Sequence, residues 1–199
     1  MNWKERFTDI YGEEAGEKWL PKLEKRIQEA KESLKNKTAD AENQYVILIT
    51  YPDQFYGEKN RLELFERFAA KYLEGIFDAI HFLPFCPYSS DDGFSVMDYK
   101  SLNSGLGDWE NLEGLSGNFT LMYDFVCNHV SAKHKWFLKC LDGDKTYEKY
   151  FMETDPKEDL SMVTRPRTTP LLTKFDTADG EKYYWTTFSA DQIDLNYRN

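Results

Sequence analysis

The chain has 199 residues, 41% of them hydrophobic and 16% aromatic, enough apolar material for a sizeable core in one domain of ordinary size. Its formal net charge of −10 argues against nucleic acid or an anionic membrane as partner, so an anionic ligand needs a local cluster of Arg or Lys. No apolar run approaches the roughly 20 residues of a membrane span, Met1-Asn2-Trp3-Lys4-Glu5-Arg6 lacks the apolar stretch of a secretory leader, and the sparse cysteines Cys86, Cys127 and Cys140 suit a reducing cytoplasm.

Residues 1–43 are polar and helix-prone. Leu20, Leu23, Ile27, Ala30 and Leu34 recur at helical spacing, which predicts one amphipathic packing helix opened by Pro21 near its first turn. Tyr45 to Tyr51 is a continuous β-rich apolar run stopped by Pro52, and residues 60–74 return to a helical period. Phe77 to Leu83 reads as a second strand, stopped by Pro84; Asp108 caps a short helix to Leu115; Phe119 to Val126 reads as a third strand; Lys133 to Leu141 is helical again. Apolar strands alternating with helices predict parallel βαβ units whose strands are covered on both faces. From Asp142 the rhythm breaks into a stretch rich in Asp, Lys, Thr and Pro, with a short strand at Tyr183 to Phe188. Long irregular excursions after barrel strands are usually functional. The expected layout is a helical extension over 1–43, three βα units over 44–141 and a loop-rich inserted segment over 142–199.

Three segments carry candidate chemistry. Tyr123-Asp124-Phe125-Val126-Cys127-Asn128-His129-Val130 places an Asp inside an apolar run that ends on Asn-His. That pattern suits a strand delivering polar groups to its C-terminal end, where α/β barrels build their sites, although a core strand followed by a capping turn fits it equally. Ser89-Ser90-Asp91-Asp92-Gly93-Phe94-Ser95 sets a carboxylate, a Gly and an aromatic within four positions. A carboxylate accepts from vicinal hydroxyls and a ring packs on the apolar face of a pyranose; Asp-Asp-Gly is also an ordinary surface turn. Arg165-Pro166-Arg167 is either an anion clamp or a solvated basic loop. The His and Cys positions give no tetrahedral metal spacing, and there is neither a Gly-rich phosphate loop nor a GxSxG elbow.

Asp124-Phe125-Val126-Cys127-Asn128-His129 resembles the first short signature of the α-amylase superfamily, glycoside hydrolase family 13. Leu83-Pro84-Phe85, Ser90-Asp91-Asp92-Gly93-Phe94, Arg165-Pro166-Arg167, Trp185-Thr186-Thr187-Phe188 and Asp191-Gln192-Ile193-Asp194 are similar to the sucrose phosphorylase branch. Within it, the Ser-Ser-Asp-Asp-Gly-Phe-Ser-Val run and the helical N-terminal extension look most like glucosylglycerate phosphorylases. The resemblance implies an α/β fold, the N-terminal part of a (β/α)₈ TIM barrel made of the first three strands plus the inserted segment after the third. It also implies retaining transfer of a glucosyl group to phosphate. Asp91 would hold distal hydroxyls of the donor glucose, Phe94 would pack on its ring, His129 would donate to the 6-hydroxyl and Asn128 would shape the same strand end. Asp124 would brace the site from the strand interior. Arg165 and Arg167 would meet the acceptor, phosphate or the glycerate acid group, and Phe188 and Gln192 would line the pocket mouth. Calcium or another metal and organic cofactors are not expected; inorganic phosphate is the co-substrate.

The sequence departs from the family in one respect. The nucleophile Asp of an Arg-Leu-Asp-Ala-type motif, the general acid Glu and a further Asp belong to later barrel strands, and none stands in these 199 residues. A complete barrel takes about 250 residues. The expectation is therefore an incomplete catalytic domain, marginally stable and inactive alone, whose partners are sugar, phosphate and the C-terminal part of the barrel. The alternatives are a sucrose or sucrose-6-phosphate phosphorylase piece, or a non-catalytic carbohydrate-binding remnant.

Overall fold

The computed structural model describes residues 3–34, 45–164 and 167–199. The chain divides into two compact units, residues 1–44 and residues 45–197. In the first, helix α1 (Trp3–Tyr11) is followed by α2 (Glu13–Leu34). Gly12, at φ 84°, separates them in the left-handed conformation that glycine adopts without penalty. A Cβ on Gly16 would meet Thr8 Oγ1 at 2.9 Å, so glycine permits the two helices to approach. The expected start at Pro21 is corrected. The helix begins at Glu13 and Pro21 lies inside it, where it removes one backbone donor.

The second unit is built on three parallel strands, β1 (Ile47–Thr50), β2 (Ala79–Phe82) and β3 (Thr120–Tyr123), in the order β1-β2-β3. Ile47 pairs with Ala79, and Ala79 in turn with Thr120. Helix α3 (Arg61–Tyr72) connects β1 to β2, and α4 (Trp109–Ser116) precedes β3. Both helix starts are legible in local chemistry. The Asn60 side chain accepts from Glu63 N at 2.8 Å, and Asp108 and Asn111 form a reciprocal capping box. Leu62, Phe65 and Ala69 of α3 and Leu112 and Leu115 of α4 pack with Ile80 and Phe82 of β2 in one core.

Coverage of both strand faces holds for β2, but β1 and β3 depart from the expectation. Ile47 and Ile49 are 42% and 61% exposed, and Met122 and Tyr123 are 42% and 43% exposed. Ile47 and Ile49 share one face of β1, opposite Leu48 which packs on the core, and among the described residues little covers that face. The third strand is also shorter than the apolar run. It ends at Tyr123, and Asp124 to Val126 leave the sheet.

Beyond β3 the chain forms β4 (His129–Ser131), α5 (Lys135–Leu141), a hairpin of β5 (Leu172–Thr177) and β6 (Gly180–Trp185), and β7 (Gln192–Asp194). β7 returns antiparallel to β4, setting His129 opposite Asp194 and Ser131 opposite Gln192. A second core forms here from Val130, Phe137, Cys140, Phe151, Tyr184 and Ile193. The Phe137 ring meets Phe151, Phe175 and Tyr184 edge-on at 4.9–5.2 Å, arrangements that aromatic quadrupoles favour. The irregular segment is thus anchored on its own apolar cluster.

Candidate functional site

Because β1, β2 and β3 are parallel, Tyr51, Leu83 and Asp124 emerge at one end of the sheet. The segment after β2 folds back on itself there, with Tyr88 bridged to Val96 and Met97 N donating to Pro87 O at 2.7 Å. Its tip, Asp91–Gly93, has three successive left-handed residues at φ 57°, 48° and 102°. Asp tolerates that region better than most residues, yet each non-glycine there is strained. At Gly93 a Cβ would lie 2.8 Å from the Pro84 side chain and 3.0 Å from its carbonyl oxygen, so only glycine fits.

Five of the sequence-predicted residues meet at this tip. Gln192 is 1% exposed, and its amide nitrogen donates to Asp91 Oδ2 at 2.8 Å. Ser189 Oγ donates to Gln192 Oε1 at 2.8 Å, which fixes the amide's orientation. His129 Nε2 lies 3.0 Å from the Phe94 carbonyl oxygen and 3.1 Å from the Gln192 amide nitrogen. A carbonyl can only accept, so Nε2 carries the proton, and Nδ1 then accepts from the Asn128 amide at 3.2 Å. Burial holds the His129 imidazole below its ordinary pKa, against the Phe94 carbonyl and the Asp194 and Asp91 carboxylates, which pull it up. The ring is therefore neutral at neutral pH.

Phe188 packs beside His129 with ring centroids 5.1 Å apart, and the Arg167 guanidinium stands 5.8 Å above Phe188. A cation within about 6 Å of a ring face is attracted by its quadrupole. Arg167, Asp91 and Asn128 are exposed, and Phe94 and Phe188 are half-buried. Arg165 lies outside the described residues. Asp124 makes its side-chain contact on the sheet. Its Oδ1 lies 3.4 Å from His81 Nε2 of the neighbouring strand, and its Oδ2 is buried with no hydrogen-bond partner among the described residues. A cavity at the ends of β1 and β2, reached by Asp92 of the same tip, is lined also by Tyr51, Asp53, Phe85, Tyr88 and Asn103, and none of the predicted site residues lines it.

Sequence reading passed over one element. Asp191 Oδ2 accepts from Ser89 Oγ at 2.5 Å, Ser90 Oγ at 2.5 Å and Ser95 Oγ at 2.8 Å. Ser95 Oγ also lies 2.8 Å from the Asp191 carbonyl oxygen, and Ser89 Oγ lies 2.5 Å from Ser131 Oγ. Burial pushes the Asp191 carboxyl up, but the three hydroxyls and Lys133 outweigh it and leave the pKa below the ordinary value. Ser-Ser before the Asp-Asp-Gly turn was the available signal, but a carboxylate about 100 residues away cannot be paired with it by local pattern.

Parallel strands wound with helices, carrying a polar and aromatic cluster at their carboxyl ends, define part of a (β/α)₈ barrel of the kind that builds its site there. Residues 69–199 match the alpha amylase, catalytic domain family. The chain belongs to this α-amylase family, glycoside hydrolase family 13. It is 44% identical over 203 residues to the glucosylglycerate phosphorylase of Escherichia coli K12, covering 98% of this chain and 36% of that protein. It is 50% identical over 155 residues to the glucosylglycerate phosphorylase of Spirochaeta thermophila, covering 77% of this chain and 26% of that protein. The crystal structure of sucrose 6F-phosphate phosphorylase from Thermoanaerobacter thermosaccharolyticum superposes with a TM-score of 0.71 at 28% identity, over 82% of this chain and 36% of that one. The chain thus spans about a third of the length of the curated relatives it matches.

Proposed function

We propose that the chain supplies the donor-glucose end of a retaining glucoside phosphorylase of the glucosylglycerate type. The observation that carries this reading is the joint placement of Asp91, Gln192, His129 and Phe188 around one loop tip, with Arg167 over the aromatic ring. Asp91 is the exposed acceptor for vicinal hydroxyls, in exchange for its Gln192 contact. Neutral His129 serves the 6-hydroxyl through Nε2–H, in exchange for its Phe94 carbonyl contact, without adding charge. The rings of Phe94 and Phe188 cover apolar sugar faces. Arg167, with Arg165, takes phosphate or the carboxylate of glycerate.

In the reaction, a carboxylate displaces the aglycone from C1 while an acid protonates the leaving oxygen; a phosphate oxygen then displaces the carboxylate, giving α-glucose 1-phosphate. Both carboxyl groups come from outside these 199 residues, so the chain alone is inactive. Inorganic phosphate is the co-substrate, with no metal or organic cofactor. Three free thiols, at Cys86, Cys127 and Cys140, suit a cytoplasmic setting.

The test replaces the first third of the E. coli relative with this chain. Phosphate-dependent release of glucose 1-phosphate is measured from glucosylglycerate, sucrose and sucrose 6-phosphate. Glucosylglycerate is the expected substrate, and Asp91→Asn lowers kcat/KM by about a hundredfold. Preference for sucrose or sucrose 6-phosphate would move the acceptor assignment to the sucrose-type reading. Glucose 1-phosphate formation by the 199 residues alone would sink the proposed division of labour.

A further inference from the structure

Asp91 is a costly residue to hold. It and Asp92 sit at positive φ without being glycine, and Asp91 is exposed on the loop tip. Strained conformations persist only where surrounding contacts over-determine them. At the tip itself the visible restraints are Phe94 N on Asp91 O at 2.9 Å and the Gln192 amide on the Asp91 carboxylate. At the base, by contrast, one carboxylate oxygen gathers three hydroxyls drawn from both arms of the loop, Ser89 and Ser90 on one and Ser95 on the other. Ser95 is fully buried and Ser89, Ser90 and Asp191 are half-buried, so the clasp is partly shielded from solvent. Hydrogen bonds to a charged acceptor, away from water, are the stronger kind. The backbone adds a further tie: Ala132 N donates to Asp191 O at 2.9 Å, and Ser131 N to Val96 O at 2.9 Å.

We infer that Asp191 is a positioning residue: its carboxylate clasps both arms of the 89–95 loop and thereby sets Asp91 against Gln192 and His129. The inference rests on the glucose-binding reading of Asp91 for its purpose, but its physical content is independent. Asp191 and Gln192 are adjacent, so one turn of chain holds the base of the loop through Asp191 and its tip through Gln192. Asp191 does not touch sugar. Its loss leaves Asp91 present but free to relax to negative φ, away from its partners.

The test compares the 199-residue chain with its Asp191→Ala and Ser90→Ala variants by hydrogen exchange at low temperature. Ser90 donates to Asp191 and is half-buried, so its removal spares the packed core. Peptides covering 88–97 are expected to exchange about tenfold faster in both variants, while those covering α3 keep their rates. Unchanged rates over 88–97 in Ser90→Ala, or acceleration spread evenly over α3 as well, would overturn the assignment. If Asp191→Ala unfolds outright, Ser90→Ala alone decides. The same samples are titrated with D-glucose. Weaker protection of 88–97 by glucose in the variants than in the parent is expected. An unprotected parent would refute the glucose reading while leaving the clasp to stand or fall on the exchange rates.

Discussion

Lowering the pH should destabilise the second unit through one buried ring. His134 caps α5, its Nδ1 accepting from Trp136 N at 3.1 Å, and is 1% exposed. Burial, then the neighbouring Lys135, lowers its pKa from the ordinary 6.5 to about 4, against a smaller upward pull from Asp98. Between those values the unfolded chain binds a proton that the folded chain refuses. Stability therefore rises with pH across this window and falls as pH drops from 6.5 towards 4. Each pH unit of displacement corresponds to about 1.4 kcal/mol, so the full loss is on the order of 3 kcal/mol. That is a large fraction of the stability of a marginal domain. The assay is urea unfolding followed by tryptophan fluorescence at closely spaced pH values, for the parent and for His134→Asn. The substitution keeps an acceptor at the cap and removes the titrating ring. It starts less stable, because Tyr99 and Trp136 lose the ring they pack against, but its acid slope is shallower. His129, also lowered by burial, contributes a residual slope of the same sign in both proteins. Identical slopes would refute the reasoning.

Gly93→Ala forces a side chain into a positive-φ position facing Pro84; a loss of about 2 kcal/mol or more is expected by chemical denaturation, and a loss under about 0.5 kcal/mol would show that the loop relaxes freely. Asn60→Ala removes the α3 cap and should cost about 1 kcal/mol in the same experiment. Ile49→Lys places a charge on the exposed face of outer strand β1; sedimentation velocity should show less self-association than in the parent, and unchanged association would acquit that face.

Much of the barrel architecture was legible because it is local. The stops at Pro52 and Pro84, the apolar period of α3 and the Asp108 box all lie within a few residues of what they specify. The helix start at Glu13 was missed because Pro21 is an ordinary opening residue and a tolerated interior one only in context. Strand β5 was missed because Leu172–Thr177 is half-buried and polar in alternation, and its partner β6 gives it order. Around the site, single residues such as Asp91 and His129 stood out through motif resemblance, whereas their mutual contacts could not. The Gln192–Asp91 bond spans 101 residues and the Ser89–Asp191 bond spans 102.

Those spans bear on the order in which a ribosome-bound chain can mature. Val46 already meets Asp78 across 32 residues, so the first two strands can zip while synthesis continues. The β4–β7 ladder must instead await Asp194, and closing its excursion costs chain entropy before any contact repays it. A nascent polypeptide therefore carries its strand scaffold for some time with the 89–95 loop unclasped.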